Sequence, residues 1–241
     1  MKPTVNILLP CYNPPPDWVD TVLKYYAQLQ AMLNDEVKLR LTVVNDGSEY
    51  NMEEERQKRL VRNIPDSEII SYPENKGKGY ALRYGLHAVK ARNIIQYLIY
   101  SDWDFPFESK CMKDMITALL EGADVVVGKR NDSYCEQLTL KRKMMSNASK
   151  WLNKRLLNLP DCDSQSGLKG MSSKGCEIFL QTKINQFLFD TEFVFKANHC
   201  KDICLQVLPV HIRQGINMSN MGVNILRKEA LNFLRILFRC V

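Results

Sequence analysis

Short apolar runs that each stop at a polar cluster constrain the fold of this chain more than any other feature. Val5 to Leu9 ends at Pro10, Leu39 to Val44 ends in Asn45-Asp46-Gly47-Ser48, and Tyr97 to Tyr100 is closed by Ser101-Asp102-Trp103-Asp104. Val125 to Val127 ends at Gly128, and a further strand is expected around Ile69 and Ile70. Runs this short and this uniformly apolar predict buried parallel strands. Helical stretches separate them: Asp17 is placed to cap a helix in which Trp18, Val22, Tyr26 and Leu29 recur, Glu53 to Arg62 reads as a polar helix, and Tyr80 to Ala91 as another. This alternation predicts an α/β, Rossmann-like fold with a mostly parallel central sheet and helices on both faces. Ligands of such sheets bind beyond the carboxyl ends of the strands, and Asn13, Asp46, Asp102 and Asp104 all follow strand ends.

After Arg130 the pattern loosens into a basic helix (Lys141 to Leu157), a polar loop (Asp161 to Gly167), another helix and a segment ending in Leu205 to Ile212. A length of 241 residues suits one domain, assigned to 1–222, with a C-terminal basic amphipathic helix at 223–241. That helix sets Leu226, Ala230, Leu234, Leu237 and Phe238 against Lys228, Asn232, Arg235 and Arg239. It either packs on the domain's own core or makes peripheral contact with a membrane. No run approaches the roughly 18 apolar residues of a membrane span. The expected location is therefore the cytoplasm, or the cytoplasmic face of a membrane. The net charge of +6 suits an anionic substrate or surface. No nucleic-acid partner is expected, because no aromatic-interleaved platform accompanies the charge.

Asp102 and Asp104, alternating after a buried strand, can present oxygen ligands to Mg²⁺ or Mn²⁺ bound to a diphosphate. Asp46 at its strand end can accept hydrogen bonds from a base or ribose, or close a simple Asx turn. Asn75-Lys76-Gly77-Lys78-Gly79 is a basic loop opening a helix, where amides and lysine charge can meet phosphate; it lacks the Walker spacing.

Together these elements resemble the inverting family-2 glycosyltransferases of the GT-A fold. Leu-Leu-Pro-Cys-Tyr-Asn looks like the family's first-strand motif, Val-Val-Asn-Asp-Gly-Ser its second, the Asn75 to Gly85 stretch its loop-helix motif and Ser-Asp-Trp-Asp its metal motif. Gly128-Lys129-Arg130, the stretch from Asp163 to Lys169 and Asp190-Thr191-Glu192-Phe193 look like the branch containing dolichyl-phosphate glucose and mannose synthases and polyprenyl-phosphate relatives.

The resemblance implies transfer of a sugar, with inversion, from a nucleotide-sugar donor (UDP-hexose or GDP-mannose) to a polyprenyl-phosphate or glycan acceptor. It implies metal at Asp102 and Asp104, and nucleotide-sugar contacts from Pro10, Tyr12, Asn13, Asp46, Lys76, Lys78, Asp102, Arg130 and Arg213, with Ser219 trailing. A hydroxyl acceptor needs a general base, for which Asp163 and Glu192 are the candidates, whereas a phosphate acceptor needs no strong base. Arg130, Lys141 and Arg142 then position the anion or form a solvated basic face. Pro14, Asn45 and Pro106 depart from the family's usual residues and motivate an inactive binding module as the alternative. A sugar nucleotidyltransferase is a second one, but Tyr12-Asn13-Pro14-Pro15-Pro16 does not supply that class's Gly-rich, Arg-containing loop.

Overall fold

The computed structural model describes residues 2–92, 95–130, 151–216 and 231–238. One seven-stranded sheet contains β1 (Thr4–Cys11), β2 (Lys38–Asp46), β3 (Ser67–Tyr72), β4 (Tyr97–Tyr100), β5 (Val125–Arg130), β6 (Lys169–Ser172) and β7 (Leu205–Val210) in the order β3-β2-β1-β4-β6-β5-β7. Neighbouring strands are parallel except at β6, which runs antiparallel to both β4 and β5. The mostly parallel sheet expected from the apolar runs is present. The helices are α1 (Trp18–Met32), α2 (Glu54–Asn63), α3 (Lys78–Arg92), α4 (Ser109–Leu120), α5 (Ser173–Leu180) and α6 (Phe189–Asn198). Residues 151–156 and 231–238 are helical as well.

Alternation along each strand divides the interior into two cores. Ile7, Leu9 and Val43 face a core shared with Trp18 and Val22 of α1 and Met112 and Ile116 of α4. Leu8, Val44 and Tyr100 face the other, shared with Leu82 and Leu86 of α3, Phe179 of α5 and Phe193 of α6. Both faces of the sheet are covered, which is why the apolar runs of β1, β2, β4 and β5 are nearly continuous where they cross it. Helix α3 lies close to the sheet because Gly85 has no side chain; a methyl group there would sit 2.6 Å from Leu8 Cδ1 and from Val44 Cγ2.

Three local expectations need correction. Asp17 precedes α1 but its carboxylate caps nothing. The turn is instead closed by backbone bonds from Trp18 to the Pro15 carbonyl and from Thr21 to the Asp17 carbonyl, both 3.2 Å. The stretch after Gly167 begins with strand β6 and continues through two helices where one was expected. The segment Leu205 to Ile212, given no structure from its pattern, contains β7. Most of the basic helix expected from Lys141 lies outside the described residues, as do Lys141, Arg142 and Ser219.

Candidate active site

Strand β1 pairs with β2 on one side and β4 on the other, so the chain order reverses between β1 and β4, the place where sheets of this kind bind ligands in a crevice beyond the carboxyl ends of the strands. Tyr12 and Asn13 follow β1 there, and Asp102 and Asp104 follow β4. Asn13 adopts a left-handed φ of 44° and ties the loop after β1 to the loop after β2. Its amide donates to Ser48 Oγ at 2.9 Å, and its Oδ1 accepts from the Glu49 amide at 2.8 Å. Asn45 Oδ1 accepts from the Ser48 amide at 2.9 Å, so the residue standing where the family usually has an aspartate closes the turn. Tyr12 is exposed on the rim.

Asp46 is buried and holds the loop before α3. Its Oδ1 accepts from Tyr72 Oη and the Lys76 amide, both at 2.7 Å; its Oδ2 accepts from Asn75 Nδ2 at 3.1 Å and the Gly77 amide at 3.0 Å. These bonds use the roughly four acceptor positions of a carboxylate. Asp46 therefore acts as a post for the loop, and direct contact with a base requires it to exchange one of these donors. Burial, then the Asp46 hydrogen bond and charge, pushes the Tyr72 hydroxyl well above its ordinary pKa, keeping it a donor. The Lys76 ammonium lies over the Tyr80 ring at 5.0 Å and the Tyr72 ring at 5.9 Å.

Lys78, the first residue of α3, reaches the carboxylates after β4, with Nζ 2.6 Å from Asp102 Oδ1. Burial works against its charge, but Asp102, then Asp190, and also Asp104, outweigh it and raise its pKa above the ordinary value. Gly167 packs against this pair: a methyl group there would lie 2.8 Å from Asp102 Oδ2 and 3.3 Å from Lys78 Nζ. Asp104 has a carboxyl raised above the ordinary range by burial and then by the charge of Asp102. A cation placed between the two would reverse that shift, so these hard oxygen donors fit Mg²⁺ or Mn²⁺. Among the described residues no three His, Cys, Asp or Glu side chains are grouped to hold a metal. Two carboxylates thus leave most of such an ion's coordination to other ligands.

Arg213 braces the same turn. Its Nε donates to the Phe105 carbonyl and its Nη2 to the Asp104 carbonyl, both at 2.6 Å, and Nη1 bonds Tyr25 Oη. The guanidinium stacks 3.8 Å over the Tyr25 ring. Arg213, expected to contact phosphate, is thus tied to the backbone of the turn that carries Asp102 and Asp104.

The two candidate bases are both engaged. Arg130 grips Asp163 through Nε and Nη2, and beside them Lys129 Nζ lies 2.6 Å from Asp161 Oδ2. Glu192 is buried, and one of its oxygens accepts the Lys183 and Ile184 amides at 2.9 and 2.8 Å. Through that oxygen, Oε2, Glu192 caps the turn.

One group escaped the sequence reading. Lys169, fully buried, donates from Nζ to Asp190 Oδ1 at 2.7 Å and to the Ser166 carbonyl at 2.6 Å. Tyr100 Oη bonds the same Asp190 oxygen. Burial, then the Asp190 charge, holds the Tyr100 hydroxyl well above its ordinary pKa. The only available signal was a Lys and an Asp lying within otherwise family-like motifs.

A sequence profile described as "Glycosyl transferase family 2" matches residues 6–177. Solved structures share the fold. Mannosyl-3-phosphoglycerate synthase from Rubrobacter xylanophilus superposes with a TM-score of 0.71 at 17% identity, covering 98% of this chain and 73% of that one. Glucosyl-3-phosphoglycerate synthase from Mycobacterium tuberculosis, in complex with Mn²⁺, UDP-glucose and phosphoglyceric acid, superposes with 0.65 at 15%, covering 98% and 79%. The 4-diphosphocytidyl-2C-methyl-D-erythritol synthase from Anaerococcus prevotii is more distant, at 0.54 and 10%, covering 96% and 98%. No curated protein matches the chain in sequence.

Proposed function

Because this chain belongs to glycosyl transferase family 2, we propose that it transfers a hexose from UDP-hexose or GDP-mannose to an anionic acceptor of the polyprenyl-phosphate type, with inversion. The observation carrying the reading is the cluster of Lys78, Asp102 and Asp104 at the switch point of the sheet, where a donor's diphosphate would lie. A divalent cation at Asp102 and Asp104 would neutralise charge on the departing diphosphate. Lys78 supplies a mobile positive charge for the phosphates, and Arg213 holds the turn that presents Asp104. Asn13, Asp46 and Lys76 shape the nucleoside side, with Tyr12 on the rim and Pro10 within β1 beneath it.

The acceptor oxygen bonds to the anomeric carbon as the bond from that carbon to the diphosphate oxygen breaks, on the opposite face of the ring. A hydroxyl acceptor must also lose its proton, yet Asp163 is paired with Arg130 and Glu192 with backbone amides. An acceptor already ionised needs no base, and this favours a phosphate over a glycan. Phosphoglyceric acid, in the M. tuberculosis structure, is likewise anionic. Residues 223–241 would bring the enzyme to a lipid-linked acceptor at the cytoplasmic face of a membrane. In the described part, Asn232 and Ile236 are buried while Leu231, Leu234 and Phe238 are exposed.

Thermal shift with UDP, GDP, CDP, dTDP and their sugars, with and without Mn²⁺, tests the donor side on wild type and Asp104→Ala. A ligand binding only the folded state raises the unfolding temperature by mass action. One nucleotide is expected to stand out, with a Mn²⁺ dependence that the variant loses. No shift with any nucleotide would overturn the metal-assisted reading.

A further inference from the structure

We infer that Lys78 couples the entry of metal to the entry of nucleoside diphosphate, its ammonium occupying Asp102 until a diphosphate draws it away. The inference rests on the reading of Asp102 and Asp104 as metal ligands given above.

One oxygen of Asp102 is taken. Oδ1 lies 2.6 Å from Lys78 Nζ, while Oδ2 stands beside Gly167, whose lack of a side chain leaves the space next to it open. A cation can reach this carboxylate from the Lys78 side only by displacing the lysine, and two positive charges do not share one oxygen without cost. With Lys78 on Asp102, the protein offers a free ion one carboxylate whose charge is already countered and Asp104, since no third acidic, His or Cys ligand joins the pair among the described residues.

A diphosphate changes both sides of this competition. It carries strong acceptors for an ammonium, and the four-carbon lysine stem can turn toward them without moving α3. It also brings oxygens that complete the coordination of a cation. Once Lys78 has left Asp102, the metal finds two carboxylates and the diphosphate together. Each ligand therefore tightens the other, and the factor is the same in both directions. The charge of Asp190 also acts on Lys78 and adds to the field holding the ammonium nearby.

The test is direct Mn²⁺ binding, read from the EPR signal of free Mn²⁺, on the full chain. Wild type, Lys78→Met and Lys78→Arg are each titrated alone, with UDP and with GDP. Wild type is expected to bind Mn²⁺ weakly alone and about tenfold more tightly with the nucleotide it recognises, within the usual range of coupling. Lys78→Met is expected to bind Mn²⁺ alone several-fold more tightly than wild type and to gain little from nucleotide. Lys78→Arg, which keeps a cation able to pair with Asp102, stays near wild type. Thermal unfolding checks each variant, and Lys78→Gln replaces Lys78→Met if that one does not fold. A folded neutral variant that binds Mn²⁺ alone no more tightly than wild type overturns the lysine inference while leaving the metal site standing. If no protein binds Mn²⁺ in any arm, the metal reading fails and the inference falls with it.

Discussion

Lys169 carries a charge with no exposure to solvent, and Asp190 beside it is nearly as buried. Removing one partner of such a pair leaves the other uncompensated, so Lys169→Met is expected to cost about 3–5 kcal/mol in urea unfolding. The double variant with Asp190→Asn should recover much of that loss. Asp104 gives the opposite result. Its carboxyl is raised in the folded chain, so the folded state holds its proton more tightly than the unfolded state does. The resulting stability is complete below the ordinary carboxylate range and is lost as pH rises through the raised value. Asp104→Asn should therefore unfold at a higher temperature than wild type at neutral pH without metal, with the gain vanishing in acid. The same variant should lose the stabilisation by Mn²⁺ with nucleotide. At this scale the positions of Asp102 and Asp104 after a strand and of Lys78 at the opening of a helix were legible, because residue type and element boundaries are local information. It did not reveal that Asp46, Asp163 and Glu192 are already engaged. Their partners lie 26–31, 33 and 8–9 residues away and meet them only through the fold.

Among elements, α3 matters most to the site, since it carries Lys78 and rests directly on β1 and β2. Gly85 allows that approach, and Gly85→Ala would push a methyl group against Leu8 and Val44. Overpacking of this kind costs about 1–3 kcal/mol, and the helix shift should also lower turnover; chemical denaturation and initial rates on the same preparation check both. Strands β1, β2, β4 and β5 were legible because burial on both faces leaves an uninterrupted apolar run. Strand β6 was not, being Lys-Gly-Met-Ser with no periodicity. It is a strand because β4 and β5 leave a slot of its width. Gly170 fits there against Leu119, 3.0 Å from where a methyl group would stand.

For the molecule as a whole, residues 231–238 present an exposed apolar surface. Leu231, Leu234 and Phe238 are exposed while Ile236 anchors the helix in the core, so deleting the segment would confuse attachment with stability. The variant Leu231→Ser/Leu234→Ser/Phe238→Ser keeps the anchor. It is expected to sediment less than wild type with anionic vesicles, with equal sedimentation arguing for an apolar face that meets no bilayer.

The reversal at β6 has a consequence for how such a chain can change. Because β6 runs against its neighbours, the residues that precede it, 161–168, reach the crevice, whereas β1, β2 and β4 deliver the residues that follow them. The residues carrying Asp46, Asp102 and Asp104 belong to the parallel frame, and the stretch facing them hangs from one short inverted strand. Exchanges in 161–166 would therefore fall outside that frame, whereas Gly167 is pinned by the Asp102 and Lys78 it lies against, so one side of such a scaffold can be recast while the other keeps its form.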